Sequence, residues 1–220
     1  MITLAVDAST YQGTVAVLDD TRVVLEQSAP MRGRDAEHLM PAVDAALRDA
    51  GHTVASIHRV VCGAGPGSFT SLRIAASIAK GIAVGRRIPL YAVSSLALIV
   101  AGNVKDGPRG TRRYLATLDA LRGEHYVALF DHDAGVVSPA GELQRVPADE
   151  VQALADRENA RAVGPDQADA WRPHARGVAL LAAAIEGEGP VDLASWEPIY
   201  GRLAEAQVKW EAAHGRSLSG

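Results

Sequence analysis

The chain has 220 residues, 48% hydrophobic and 22% charged, enough for one large domain or two small ones packed together. Its formal net charge of −4 leaves no global basic footprint for nucleic acid. Cys62 is the only cysteine, which excludes an internal disulfide and fits a reducing, cytoplasmic setting.

The first residues, Met1 to Asp7, lack the basic start and cleavage site of a signal peptide. They read as a strand over 2–7, followed by a turn at 8–12, a strand at 13–18 and a third at 22–28, because apolar residues alternate between Asp, Ser and Gly boundaries. Leu39, Val43, Ala46, Leu47 and Ala50 then recur at helical spacing over 35–50, with Gly51 as a stop. Pro41 conflicts with a continuous helix there, so the regular helix starts near Leu39 or bends at the proline.

The strand His58-Arg59-Val60-Val61-Cys62 runs into a glycine loop, Gly63-Ala64-Gly65-Pro66-Gly67, and a helix over about 68–86 that Ser68 is placed to cap. Cys62 sits within an apolar strand and reads as a small core residue rather than a nucleophile. In the helix Arg73, Ser77 and Lys80 form one narrow polar stripe. The rest is apolar, so the helix must be covered on two sides. Two readings stand: the chain's own sheet and neighbouring helix cover it, or Ile74, Ile78 and Ile82 face another chain. Ala75 and its neighbours permit close helix approach in either case.

Three motif readings compete for the glycine loop. A P-loop needs a lysine before its Ser/Thr, and Ser68-Phe69-Thr70 supplies none. A dinucleotide loop needs an acid at the end of the next strand, but that strand, about 88–93, ends Tyr91-Ala92-Val93-Ser94. A tight strand-to-helix turn with weak anion affinity remains. The apolar runs near 74–85 and 91–101 are too short to span a bilayer, and Lys80 interrupts the first.

Turn residues without periodicity from Gly102 to Gly110 mark a linker over 103–112, between lobes at 1–102 and 113–220. Its basic residues, with Arg112 and Arg113, read either as a solvated loop or as a minor RNA contact. Beyond it, Leu118-Asp119-Ala120 echoes Val6-Asp7-Ala8, and Val127-Ala128-Leu129-Phe130-Asp131 echoes Val15-Ala16-Val17-Leu18-Asp19, both at an offset of 112 residues. A duplicated hairpin followed by helices and parallel strands predicts an α/β, actin-like (ribonuclease H-like) fold of two small sheet-plus-helix lobes facing a cleft. Asp7 and Asp119 then read either as a carboxylate pair across that cleft or as turn aspartates accepting backbone N–H groups. Arg122 and Glu124 are expected to pair on the second hairpin.

The string Gly65-Pro66-Gly67-Ser68-Phe69-Thr70-x-Leu72-Arg73 resembles the TsaB family, the smaller paralogue of TsaD in N6-threonylcarbamoyladenosine synthesis on tRNA. Similar matches occur at Ala5 to Thr10, at Glu37-His38-Leu39-Met40-Pro41, at Asp119 to Tyr126 and at Pro198-Ile199-Tyr200-Gly201-Arg202. Ser71 departs from the family's usual glycine, and residues 132–197 carry no motif.

The resemblance implies a subunit without catalytic residues, metal or cofactor of its own. TsaD-like proteins have a metal-binding histidine pair where this chain has Ser95 and Ile99, and neither side chain replaces an imidazole. The seven histidines include no pair four apart. It also implies a heterodimer with TsaD, a complex with TsaE, and TsaC upstream. TsaD would hold most of the tRNA, with no membrane involved and self-association when alone. The expected partner surface comprises Leu39, Val43, Leu47, Ile74, Ala75, Ile78 and Ile82. Asp7, Ser9, Thr10, Gly65, Gly67 and Ser68 are expected to form a vestigial phosphate wall, with any nucleotide confined to a partner interface. An independent actin-like ATPase or small-molecule kinase is the alternative, and a metallopeptidase a third.

Overall fold

The computed structural model describes residues 1–31, 37–105 and 111–200. The core of the expected linker and the end of the Pro-x-Tyr-x-Arg string, Gly201 and Arg202, lie outside them. The first sheet contains β1 (Ile2–Asp7), β2 (Gln12–Asp19), β3 (Arg22–Pro30), β4 (Arg59–Gly63) and β5 (Leu90–Val93), in the order β3-β2-β1-β4-β5. The hairpin strands are antiparallel, and β4 and β5 continue from β1 in parallel. Strands β1 and β4 are buried along their whole length, the polar Thr3, Asp7 and Arg59 included, because the sheet is covered on both faces.

Helix α1 (Leu39–Asp49) begins just before the proline, so Pro41 falls in the first turn, where its missing N–H has no intrahelical partner to lose. Glu37 rather than His38 supplies the side-chain cap: its carboxylate accepts the N–H groups of Leu39 and Met40. Helix α2 (Phe69–Arg86) starts after Ser68, whose hydroxyl lies 3.0 Å from that of Ser71 and caps no backbone N–H, contrary to the expected capping role.

The two-sided cover of α2 comes largely from this chain. Ala75, Ala79, Ile82 and Ala83 pack with Leu39, Val43 and Leu47 of α1 and with β1 and β4 in one core. Leu39, Val43, Leu47, Ala75 and Ile82, expected at a partner surface, are therefore enclosed by the chain itself. Ile74 and Ile78 are half-buried at its edge. Among the described residues no helix is long and apolar enough to cross a membrane.

Helix α3 (Ser95–Asn103) is buried at every residue from Ser95 to Gly102, as expected of a helix apolar all round. It lies between the sheets, in a core shared by Ala5, Ala16 and Leu18 of the first and Tyr114, Ala116 and Phe130 of the second. Burial of its Leu, Ile and Val side chains contributes about 1.5–3 kcal/mol each.

The second sheet contains β6 (Arg112–Asp119), β7 (Glu124–Asp133), β8 (Val136–Pro139), β9 (Gln144–Pro147) and β10 (Arg161–Val163), ordered β10-β6-β7-β8 with β9 also beside β7. Helix α4 (Val151–Arg157) covers its far face with Leu115 and Val127. The two sheets repeat one topology, but not at a single ungapped offset. Ala5 pairs with Ala16, whereas Ala128 pairs with Ala116 and Tyr126 with Leu118. Strand β7 keeps the 112-residue offset from β2, and β6 stands 111 residues from β1, with the extra residue in the second turn. The structural equivalent of Asp7 is Leu118, and Asp119 lies one position further on.

After α5 (Ala182–Glu188) the chain returns to the first sheet. Val191 N–H donates to Leu90 O at 2.8 Å, the Lys80 ammonium lies 5.6 Å from the Trp196 ring centroid, and Ile199 N–H donates to Ala64 O at 2.7 Å. Residues 191–199, expected with the second lobe, thus form a strap across the first.

Candidate functional site

The end of β1, the glycine loop and the start of α3 converge on Asp7. Its Oδ1 accepts Ser9 N–H at 3.0 Å and the Ser9 hydroxyl at 2.8 Å, and its Oδ2 accepts the Ser95 hydroxyl at 2.5 Å. Asp7 is fully enclosed, and burial pushes its carboxyl above the ordinary aspartate range, against the hydrogen bonds from Ser95 and Ser9. Gly63 permits this packing: a Cβ there would meet Asp7 Oδ2 at 2.0 Å. Cys62 beside it is buried, and burial raises its thiol pKa, so it is an inert core residue.

The glycine loop is tied down through its own backbone. Gly65 N–H donates to Ser95 Oγ at 3.0 Å, and Ser68 N–H donates to Ser9 O at 2.7 Å. Gly67 is needed because a Cβ would stand 2.2 Å from Ser9 O, and Gly65, at φ +87°, because one would stand 2.5 Å from Ile199 O. Two of the N–H groups that an anion cradle would present are therefore already engaged within the chain. Asp7 and Gly65 lie behind the loop, whereas Ser9, Thr10, Gly67 and Ser68 line a cleft of about 1050 Å³ between the lobes.

The opposite wall is the β6–β7 turn, with Arg145 of β9, Asp166 and Arg172. Asp119 is exposed there, and its Oδ1 accepts Leu121 N–H at 2.7 Å. Both aspartates are thus turn acceptors, and only Asp119 reaches the cleft. Glu124 pairs with Arg145 at 3.4 Å across β7 and β9, which corrects its expected pairing with Arg122. Tyr11 and Tyr200 complete the lining, and the Tyr200 ring lies 4.7 Å from that of Phe69. Sequence reasoning missed Arg145, Asp166 and Arg172, which stand in the stretch without motifs. It also missed Ser95 as a hydrogen-bond partner of Asp7, 88 residues away in sequence.

Ser95 and Ile99, expected from the resemblance at the positions of the TsaD-like histidine pair, both lie on α3. Ser95 Oγ is held between Asp7 and Gly65, and Ile99 is fully buried in the interlobe core. Among the described residues no group of three or more His, Cys, Asp or Glu side chains is arranged to hold a metal ion.

A second, shallower groove of about 480 Å³ lies beside α2, lined by Glu37, Arg73, Ile74, Ser77 and Ile78 together with Phe69 and Thr70. The Arg73 guanidinium lies 5.3 Å from the Phe69 ring centroid.

Comparison with known proteins agrees with this geometry. The family model described as TsaD, tRNA N6-adenosine threonylcarbamoyltransferase, matches residues 33–164. The Bacillus subtilis protein named tRNA threonylcarbamoyladenosine biosynthesis protein TsaB is 30% identical over 96% of this chain and 98% of its own length. The Escherichia coli protein of that name is 32% identical over 65% of this chain and 61% of its own. The solved structure of YeaZ from Pseudomonas aeruginosa matches with a TM-score of 0.72 at 28% identity, covering 90% of this chain and 99% of that one. The fold is the actin-like, duplicated α/β arrangement, and similarity along nearly the whole Bacillus subtilis protein makes this chain a member of the TsaB family.

Proposed function

We propose that this chain is a non-catalytic, activating subunit of a cytoplasmic complex that makes N6-threonylcarbamoyladenosine in tRNA. In this reading it pairs with TsaD, enables TsaE, and leaves both the metal and most of the tRNA to TsaD, with TsaC acting upstream. The observation that carries the reading is the position of Ser95. The hydroxyl expected from the resemblance at a TsaD histidine position is held by Asp7 and the glycine loop. The similarity to proteins named for this modification supplies the pathway.

The pairing surface we propose is the exposed edge of α2, where Ile74 and Ile78 are half-buried and Val84 is 62% exposed. The same edge serves self-association when the chain is alone. Binding there would act by favouring the active conformation of TsaD over its inactive one. Size-exclusion chromatography of the two purified proteins tests this: co-elution at micromolar concentration is expected, and separate elution of two folded proteins overturns it.

The cleft, with Ser9, Thr10, Gly67 and Ser68 on one wall, favours one second reading, an independent actin-like ATPase or small-molecule kinase. Calorimetry of the isolated chain with Mg-ATP separates the two, because only the second reading requires saturable heat.

A further inference from the structure

We propose that Tyr200 is a positioning residue for the pairing edge of α2: its ring holds Phe69, and through Phe69 the Arg73 guanidinium, in the groove beside that helix. This role rests on the pairing with TsaD proposed above.

Two cavities share one wall. Phe69 and Thr70 line both the interlobe cleft and the groove beside α2. Tyr200 lines only the cleft, and Arg73 only the groove. The Phe69 ring meets both. Its centroid is 4.7 Å from that of Tyr200, at an interplanar angle of 51°, and 5.3 Å from the Arg73 guanidinium. A tilted ring pair and a cation over an aromatic ring are both attractive geometries. Arg73 follows Phe69 by one helical turn, so the two side chains lie on the same face of α2.

Tyr200 is distant in sequence and is brought here by the strap. Ile199 N–H donates to Ala64 O at 2.7 Å, and Ile199 O lies so close over Gly65 that a Cβ there would stand 2.5 Å from it. The residue before Tyr200 is thereby fixed to the glycine loop that opens α2. The Tyr200 hydroxyl makes no hydrogen bond with another described residue. Burial and the Glu197 charge push its pKa up, and the Arg73 charge opposes them. The group stays a neutral phenol, and its ring is the part that acts.

Arg73 gains most from this support. It is exposed and has no hydrogen bond or ion pair with another described residue. The Glu37 carboxylate in the same groove is engaged by the N–H groups of Leu39 and Met40. A free arginine side chain loses rotamer entropy when a partner covers it. Packed on Phe69, which Tyr200 backs, Arg73 is already ordered beside Ile74 and Ile78.

Binding of TsaD to the full chain, measured by calorimetry, tests the role. Tyr200→Ala should weaken it about three- to tenfold, the scale of ordering one such side chain, and Tyr200→Phe should restore it. In an Arg73→Ala chain, itself weakened, Tyr200→Ala should cost little more, because both changes remove one chain of contacts. Val136→Ala, an exposed side chain of the second lobe, should bind as the parent does. A second readout needs no partner. Phe69 and Phe130 are the only phenylalanines, so fluorophenylalanine labelling gives one fluorine resonance for each. Tyr200→Ala should move the Phe69 resonance and leave that of buried Phe130 in place. Unchanged binding of Tyr200→Ala, no rescue by Tyr200→Phe, additive effects of the two alanines or an unmoved Phe69 resonance overturns the role of Tyr200 alone. No binding by the parent chain overturns the pairing proposal and this role together. Where Tyr200→Ala fails to fold, Phe69→Leu takes its place in the cycle with Arg73→Ala, with the same expected loss.

Discussion

Ser95 donates its hydroxyl to Asp7 and accepts the Gly65 N–H on the same oxygen, which fastens α3, β1 and the glycine loop at one point. Asp7→Ala would leave three buried donors, Ser9 N–H and the hydroxyls of Ser9 and Ser95, without their acceptor. A loss of about 2–4 kcal/mol is expected, against about 1–2 kcal/mol for Ser95→Ala. Urea unfolding of the two variants measures both.

The same site predicts a pH dependence. Burial raises the Asp7 pKa in the folded chain, so the folded state binds this proton more tightly than the unfolded one. Its contribution is fully present below the ordinary aspartate range and declines as pH rises through the raised folded value. The stability of the parent chain relative to Asp7→Asn should therefore fall with rising pH. A difference that grows with pH would contradict the assignment.

Two glycines make opposite predictions. Gly67→Ala forces a Cβ against Ser9 O and should cost about 2–4 kcal/mol. Gly81, inside α2, has nothing within 4 Å of a built Cβ, so Gly81→Ala should stabilise by about 0.5–1 kcal/mol. Thermal melts of both variants check the pair.

Glu26 ties β3 to the 3-10 turn at Ala175–Leu181. Its burial raises its pKa, but hydrogen bonds and charge from His174 and Arg176 outweigh this and hold the carboxyl below the ordinary range. Glu26→Gln should cost about 1 kcal/mol at neutral pH. The cost should vanish as acid protonates the parent carboxyl, because a depressed pKa contributes stability only above the folded value. Denaturant midpoints across the acid range read this directly.

On α2 and α1, burial separates fold from pairing. Leu47→Ala, at 2% exposure, should destabilise the chain by about 2–5 kcal/mol. Ile78→Glu, at the half-buried edge, should leave the melt within a few degrees of the parent and weaken TsaD binding at least tenfold. Calorimetry and circular dichroism on the same samples distinguish the two effects.

Much of the fold was legible in local pattern. Alternation located β1 and β2, and Pro41 marked the start of α1. The apolar run near 91–101 reads in the sequence only as too short to span a bilayer; α3 is not placed there, because a run apolar on every side has no periodicity to mark a helix. What escaped depends on distant partners. The strap from Val191 to Ile199 has no periodicity, and its order comes from bonds to Leu90 and Ala64. The one-residue shift between hairpins was hidden because the aspartates match in sequence while the pairing of Ala116 with Ala128 sets the register. At the site, the glycine loop was readable as a turn. The wall containing Arg145 and Arg172 was not, since exposed arginines in the sequence do not reveal which cleft they share.

The central claim, an activating subunit without chemistry of its own, is tested most directly by reconstituted modification of tRNA. Threonylcarbamoyladenosine formation would be measured by mass spectrometry with TsaC, TsaD and TsaE, in the presence and absence of this chain. Product is expected only when the chain is added together with TsaD, and none from the chain with TsaC and TsaE alone. Undiminished product without the chain, or product made by the chain in place of TsaD, would contradict it.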